Sequence, residues 1–247
     1  MTDSAEQIGN CRLCGQRTKL CLSHIVPEFC YKQLYDPKHQ IKQLNLKKHG
    51  VPKHILIKKG IREHLLCKHC EALISRYEGT FKTFWYDCPG IPAKVDPGAN
   101  GIIIDGLDYA STKLFHLSIL WRASASRWGR NVSLGPRYTQ KIGQMLLTAD
   151  PGPTEHFPIL GTLLVDNKGN VFHGIITEPV RSRVEHSHVY FMCYAGCDWN
   201  FCVTDHPTLT ETQIAKAMDS SGRITLMCCK WFDSNTAQIM RKYPQRK

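Results

Sequence analysis

Residues 11–14 read CRLC and residues 67–70 read CKHC, two Cys-x-x-Cys pairs that lie 52 residues apart. A spacer of two residues lets both thiolates of a pair reach the same tetrahedral zinc ion. We therefore expect Cys11, Cys14, Cys67 and Cys70 to form a zinc site with four thiolate ligands. The long intervening segment is compatible with this, because loop-closure entropy grows only logarithmically with length. The alternative is two unrelated cysteine pairs held reduced in a core.

The composition is that of a globular protein. The chain has 247 residues, of which 42% are hydrophobic and 21% are charged. No apolar run approaches the roughly 18–20 residues that span a bilayer. The first ten residues, MTDSAEQIGN, lack the basic and apolar regions of a secretory signal, so we expect a cytoplasmic protein. In that compartment the twelve cysteines indicate metal binding or burial rather than disulfides.

The positive charge is concentrated in the first third of the chain. The formal net charge is +11, and residues 10–86 hold fifteen lysines and arginines against five acidic residues. This density favours a polyanionic partner, with nucleic acid preferred over an acidic membrane because no amphipathic anchor accompanies it. The alternative is a solvated surface without a partner.

A boundary is predicted at residues 88–101, CPGIPAKVDPGANG, which contain three prolines and three glycines. It separates a zinc-binding module at 1–87 from an accessory α+β domain with an antiparallel sheet at 102–247. Hydrophobic periodicity in the accessory domain predicts three helices and five strands. The helices are expected at 107–128, 137–148 and 208–219, and the strands at 158–165, 170–177, 187–195, 198–204 and 223–232. This domain is expected to be an accessory one that sets target choice, forms a homo-oligomer or binds a protein partner, and the sequence does not distinguish among these roles.

The first Cys-x-x-Cys pair is followed after about ten residues by SHIVP at 23–27, then by a basic hairpin, and finally by LLCKHC leading into a helix. This order resembles the HNH endonucleases over roughly residues 8–82. The resemblance implies a ββα-metal core with a treble-clef zinc knuckle. It also implies that His24 is the general base that activates water. Ser23 stands where the family usually has Asp or His, and Glu71 stands where it has His or Asn, as a ligand of the catalytic cation.

These residue types suit phosphodiester hydrolysis. Histidine is the side chain whose unperturbed pKa lies near neutrality, as a general base requires. A cation offsets the charge that develops on the leaving oxygen, and the carboxylate of Glu71 suits Mg²⁺ or Mn²⁺. Glu63 and His64 are candidates for a further ligand. Basic residues between His24 and Cys67 are expected to bind the nucleic-acid backbone, with DNA as the preferred substrate. They include Lys47, Lys48, Lys53, Lys58, Lys59 and Arg62.

The resemblance further suggests a bacterial defence role against foreign DNA. The alternative function is a zinc-stabilised module that binds nucleic acid or protein without cutting. The predicted helix at 107–128 carries two further features. His116 is expected to be a core histidine, whereas Arg122, Arg127 and Arg130 either extend the polyanion-binding surface or complement the C-terminus of the helix.

Overall fold

A computed structural model describes residues 7–45, 53–88, 90–96, 98–129, 132–184, 187–206 and 208–241. The α+β class predicted from the sequence is confirmed, because helices and strands both occur throughout these ranges. None of the helices in the described ranges is long and apolar enough to cross a membrane.

The first part of the chain forms a small sheet, a separate two-stranded ribbon and one long helix. Strands β1, β2 and β5 make the three-stranded sheet in the order β1-β2-β5, and β3 pairs with β4 in the ribbon. The elements are β1 (Ile8–Asn10), β2 (Arg17–His24), α1 (Glu28–Tyr31), β3 (Ile41–Asn45), β4 (Lys53–Ile57), β5 (Arg62–Cys67) and α2 (Lys68–Lys82). The basic hairpin expected between His24 and Cys67 is thus present as the ribbon.

Helix α2 is amphipathic and begins at the second cysteine pair. Its buried residues recur at helical spacing, so one face packs into the core. Cys67 is the N-cap, and its Sγ accepts the backbone N–H of Cys70 at 3.4 Å. The helix continues into a π-helical turn at Thr83–Asp87. The buried face comprises Cys70, Leu73, Ile74, Tyr77 and Phe81.

The second part of the chain contains a six-stranded sheet and two long helices. Its sheet has the order β6-β11-β7-β10-β9-β8. The strands are β6 (Gly101–Ile104), β7 (Ile159–Val165), β8 (Val180–Val184), β9 (Ser187–Tyr194), β10 (Cys197–Val203) and β11 (Ile224–Lys230). The helices are α3 (Tyr109–Ala125), α4 (Gly135–Thr148), α5 (Glu211–Ile214) and α6 (Asn235–Arg241).

Three expectations for this part were wrong. The sheet is mixed rather than antiparallel, because β11 pairs with β7 in parallel. Residues 170–177 do not form a strand. Both edges of β7 are already occupied, by β10 and by β11. The segment that follows β7 therefore contacts it through a single bridge, between Val165 and Val171. The helix expected at 208–219 is the single turn α5. The Lys216 and Ala217 N–H groups donate to carbonyls three residues back, and the Met218 N–H donates to the Ile159 carbonyl.

The two parts of the chain share one hydrophobic core. Phe81 of α2 stacks on Phe115 of α3, with ring centroids 4.0 Å apart. Trp85 donates its indole N–H to the carbonyl of Ala195 at 3.0 Å. Val95, inside the predicted linker, is buried at 6% exposure. The division at 88–101 stays a prediction about folding units, but residues before and after it pack against each other.

Candidate active site and metal centre

The four cysteines of the two pairs lie together. Their Sγ atoms are all within 4.8 Å of one another. Cys14 Sγ and Cys67 Sγ are 3.8 Å apart. A tetrahedral site with Zn–S bonds of about 2.3 Å has sulfur–sulfur edges of about 3.8 Å, so this distance fits a bound zinc ion. The cluster could therefore hold a metal ion such as zinc, through Cys11, Cys14, Cys67 and Cys70.

Backbone contacts explain why pairs so distant in sequence meet. The first pair forms a tight turn in which the Gly15 N–H donates to the carbonyl of Cys11 at 2.9 Å. Gly15 has a φ of +77°, a value that glycine adopts without strain. A second hydrogen bond joins the segments that carry the two pairs. The Arg12 N–H donates to the carbonyl of Leu65, two residues before Cys67, at 2.9 Å.

His24 is the last residue of β2, and it is paired in register with Arg62 of β5. Its Nε2 lies 2.9 Å from Oε2 of Glu28, at the start of α1. The other oxygen of Glu28 accepts a hydrogen bond from the Tyr35 hydroxyl. Burial lowers the pKa of His24, while the nearby Glu28 carboxylate partly opposes that shift. The imidazole is therefore neutral at physiological pH, with one nitrogen held by a carboxylate.

Ser23 and Glu71 contact each other directly. Ser23 is fully buried, and its hydroxyl donates to Oε2 of Glu71 at 2.6 Å. Glu71 follows Cys70 in the first turn of α2, so the cysteine cluster sets the position of this carboxylate. The family resemblance implied a metal-ligand position for Ser23. Here the serine acts as a hydrogen-bond donor that orients Glu71.

The other candidate ligands of the catalytic cation are engaged by backbone groups. Glu63 Oε2 accepts the N–H of Arg127 at 2.8 Å. His64 Nδ1 lies 3.3 Å from the carbonyl oxygen of Leu20. Within the described ranges, the cysteine cluster is the sole group of three or more potential metal ligands with converging atoms. Among these residues, Glu71 therefore does not belong to a group of three converging protein ligands.

The basic residues expected to bind nucleic acid are only partly described. Lys58 and Lys59 are exposed just after β4, and Arg62 is half-buried beside His24. Lys53 begins β4. Lys47 and Lys48 lie outside the described residues.

Two functional contacts were missed by sequence reasoning. Glu28 follows His24 by four residues in a turn that begins at Pro27, and this spacing was the available signal for a His–carboxylate pair. Arg122 was expected to be on the surface or to complement the end of its helix. It is buried at 1% exposure, so the surface alternative was wrong, but it lies in the last turn of α3, as the other alternative had it. For Arg122, the available indication of a buried contact in the sequence was a charged residue within a mostly apolar helix. Arg127 is exposed, and Arg130 is not described.

Comparison of the chain with protein-family models, with curated proteins and with solved structures gave no match.

Proposed function

We propose that this chain is a metal-dependent endonuclease of the HNH type that hydrolyses phosphodiester bonds in nucleic acid, with DNA as the preferred substrate. The observation that carries the proposal is the arrangement around His24. The histidine ends a strand, a carboxylate holds its Nε2, and the residue before it contacts Glu71 beside the cysteine cluster. A treble-clef zinc knuckle at that cluster is part of the proposal, as is a role in defence against foreign DNA.

His24 would act as the general base. The Glu28 carboxylate, 2.9 Å from Nε2, favours the tautomer with the hydrogen on Nε2, so that Nδ1 would carry the lone pair and take the proton from water. The carboxylate of Glu28 would then stabilise the imidazolium that forms. Because burial lowers the pKa of His24, the basic form is populated at neutral pH.

Two further groups would bind and orient the substrate. Arg62 lies opposite His24 in the β2–β5 pair and would bind a phosphate next to the reacting one. Ser23 would keep the Glu71 carboxylate directed by its hydrogen bond. A divalent cation such as Mg²⁺ or Mn²⁺, held by Glu71, water and substrate phosphates, would offset the charge on the leaving oxygen.

A second function is favoured by one observation. The hydroxyl of Ser23 engages Glu71, and the described residues contain no group of three converging ligands other than the cysteine cluster. The same fold would then bind nucleic acid or a protein through its basic face without cutting. The two functions differ in metal content, because the binder needs only the ion at the cysteine cluster.

The test is cleavage of supercoiled plasmid and of RNA by wild type, His24→Ala and Glu28→Gln, in EDTA, Mg²⁺ or Mn²⁺. His206→Ala serves as the matched control, since that histidine is 65% exposed and belongs to the second part of the chain. Zinc content is measured for every protein.

We expect wild type and His206→Ala to cut only with a divalent cation. His24→Ala should retain zinc and lose about two to four orders of magnitude in rate, the usual contribution of general-base catalysis. Glu28→Gln should lose less, because the imidazole remains. If every protein binds nucleic acid equally and none cuts it, the binding function replaces the nuclease.

A further inference from the structure

Arg122 of α3 is a buried cation whose contacts lead into the candidate site. Arg122 is only 1% exposed to solvent. Nη1 is 2.8 Å from Oε1 of Glu78 on α2. Within its own helix, Nε donates to the Ser118 carbonyl and Nη2 to the Ser118 hydroxyl, each at 3.2 Å. A buried charge is tolerated only when paired and hydrogen-bonded, and these contacts meet that condition.

The same Nη1 also donates to the backbone carbonyl of His24, at 2.7 Å. This carbonyl belongs to the last residue of β2. One residue on, the Ile25 N–H donates to the carbonyl of Ile61 at 3.0 Å. Two contacts thus hold the backbone that carries the His24 ring. One comes from Ile61, just before β5, and the other from the Arg122 side chain, 98 residues later in the sequence.

We propose that Arg122 is a positioning residue for His24, so that the second part of the chain completes the site in the first. This inference rests on the proposed nuclease function. The imidazole direction depends on the backbone at His24, and its carbonyl is the group that Arg122 holds. Misplacing a catalytic group by about 1 Å can reduce the rate about a hundredfold.

The geometry explains why the residue is arginine. Nη1 forms an ion pair with Oε1 of Glu78 at 2.8 Å and donates a hydrogen bond to the His24 carbonyl at 2.7 Å. The planar guanidinium holds these partners at fixed angles while its remaining nitrogens bind Ser118. Helix α2 carries both Glu78 and Glu71, so the contact also joins α3 to the helix that bears the proposed cation ligand.

The experiment separates positioning from folding with two variants. Arg122→Met with Glu78→Gln removes the donor to His24 without leaving an unpaired buried carboxylate. Glu78→Gln alone is the matched control: it removes the counter-charge of Arg122 and leaves the hydrogen bond to the His24 carbonyl in place. The loss of stability that follows from the broken ion pair is then measured in this control by thermal unfolding. For each protein we would measure zinc content, thermal unfolding, Kd for uncut DNA in EDTA, and the single-turnover cleavage rate at saturating DNA with Mg²⁺.

We expect Glu78→Gln to cut at close to the wild-type rate. The double variant should bind zinc and DNA like wild type and cleave about a hundredfold more slowly, as expected for a displaced base. If the double variant does not fold, Arg122→Ala is assayed with added guanidinium ion, and the inference requires cleavage to recover with guanidinium concentration. A double variant that cuts at the wild-type rate would overturn the inference, and so would one whose DNA affinity falls as much as its rate.

The His24 ring resonance, recorded by NMR at a pH where the imidazole is neutral and assigned with His24→Ala, gives a readout independent of cleavage. It should be unchanged in Glu78→Gln and shifted in the double variant. If wild type cuts no nucleic acid, the proposed function fails. The resonance then decides alone whether Arg122 positions His24, and an unshifted signal in the double variant refutes it.

Discussion

At the scale of single residues, the geometry of the candidate site depends on polar groups that are shielded from solvent. His24, Glu28, Ser23, Glu71 and Arg122 each have a specific partner, and two of these contacts join residues far apart in sequence. An unpaired buried polar group costs free energy, so such partners restrict where each side chain can point. The site is therefore held by pairwise contacts at the residue level.

His116 makes the stability of the protein pH-dependent. The imidazole is fully buried, shares a 2.5 Å hydrogen bond with the Tyr194 hydroxyl, and lies 4.1 Å from the Trp199 ring between centroids. Burial lowers its pKa to about 3. The unfolded chain, with a histidine pKa of about 6.5, binds the proton first as the pH falls. The free energy of unfolding therefore decreases below about pH 6.5, by about 1.4 kcal/mol per pH unit.

We expect wild type to lose about 1.4 kcal/mol more than His116→Gln between pH 7.5 and pH 5.5. The measurement is urea unfolding at both pH values, with His206→Gln as the control that keeps the wild-type slope. Equal losses in wild type and His116→Gln would mean that His116 is protonated equally in the folded and unfolded states.

At the level of elements, the turn that leaves strand β4 carries the basic residues best placed to bind a backbone. Lys58 and Lys59 are exposed and precede Arg62, which lies beside His24. If these lysines bind phosphates, replacing them should weaken binding uniformly across sequences and reduce its salt dependence.

The variant is Lys58→Gln with Lys59→Gln, and the measurement is DNA affinity at several salt concentrations. The slope of log K against log salt should become shallower by about 0.9 for each phosphate that the variant no longer neutralises. Lys94→Gln with Lys168→Gln is the matched control, because both lysines are exposed and lie outside the first part of the chain, Lys94 in the predicted linker and Lys168 in the second part. An equal change of slope in the two variants would mean that Lys58 and Lys59 contribute no more to DNA binding than the control lysines do.

At the scale of the whole molecule, the two parts of the chain stabilise each other. The buried face of α2 packs on α3, and Tyr77 donates its hydroxyl to the Leu146 carbonyl of α4 at 2.9 Å. Phe81 and Trp85 are buried at 0% and 5% exposure. Burying each large side chain contributes about 1.5–3 kcal/mol, so a fragment that ends near residue 87 loses several such contributions.

We therefore expect residues 1–87 alone to bind zinc without forming a stable fold. Limited proteolysis and amide hydrogen exchange, with zinc present, would compare this fragment with the full chain. The α2 amides should be protected only in the full chain. A fragment that unfolds cooperatively and resists protease would instead support an independent module at 1–87.

The sequence by itself determined the features that depend on local spacing. Two Cys-x-x-Cys pairs predicted the thiol cluster, periodic apolar residues predicted α3 and α4, and alternation predicted β7, β9, β10 and β11. The resemblance implied that His24 and Glu71 belong to one site, and Ser23, the neighbour of His24, donates a hydrogen bond to Glu71. Each cysteine pair and each periodic segment is encoded within a few residues, where periodicity and ligand spacing apply directly.

Only the tertiary structure decided the remainder. The turn at Glu28 directs a carboxylate to His24, and α3 brings Arg122 against its carbonyl. Occupied edges on β7 prevented residues 170–177 from pairing as a strand. Each outcome depends on which surfaces meet after the chain has packed. Sequence spacing cannot specify that, because burial of a charge or occupation of a strand edge is a property of the neighbours rather than of the residue itself.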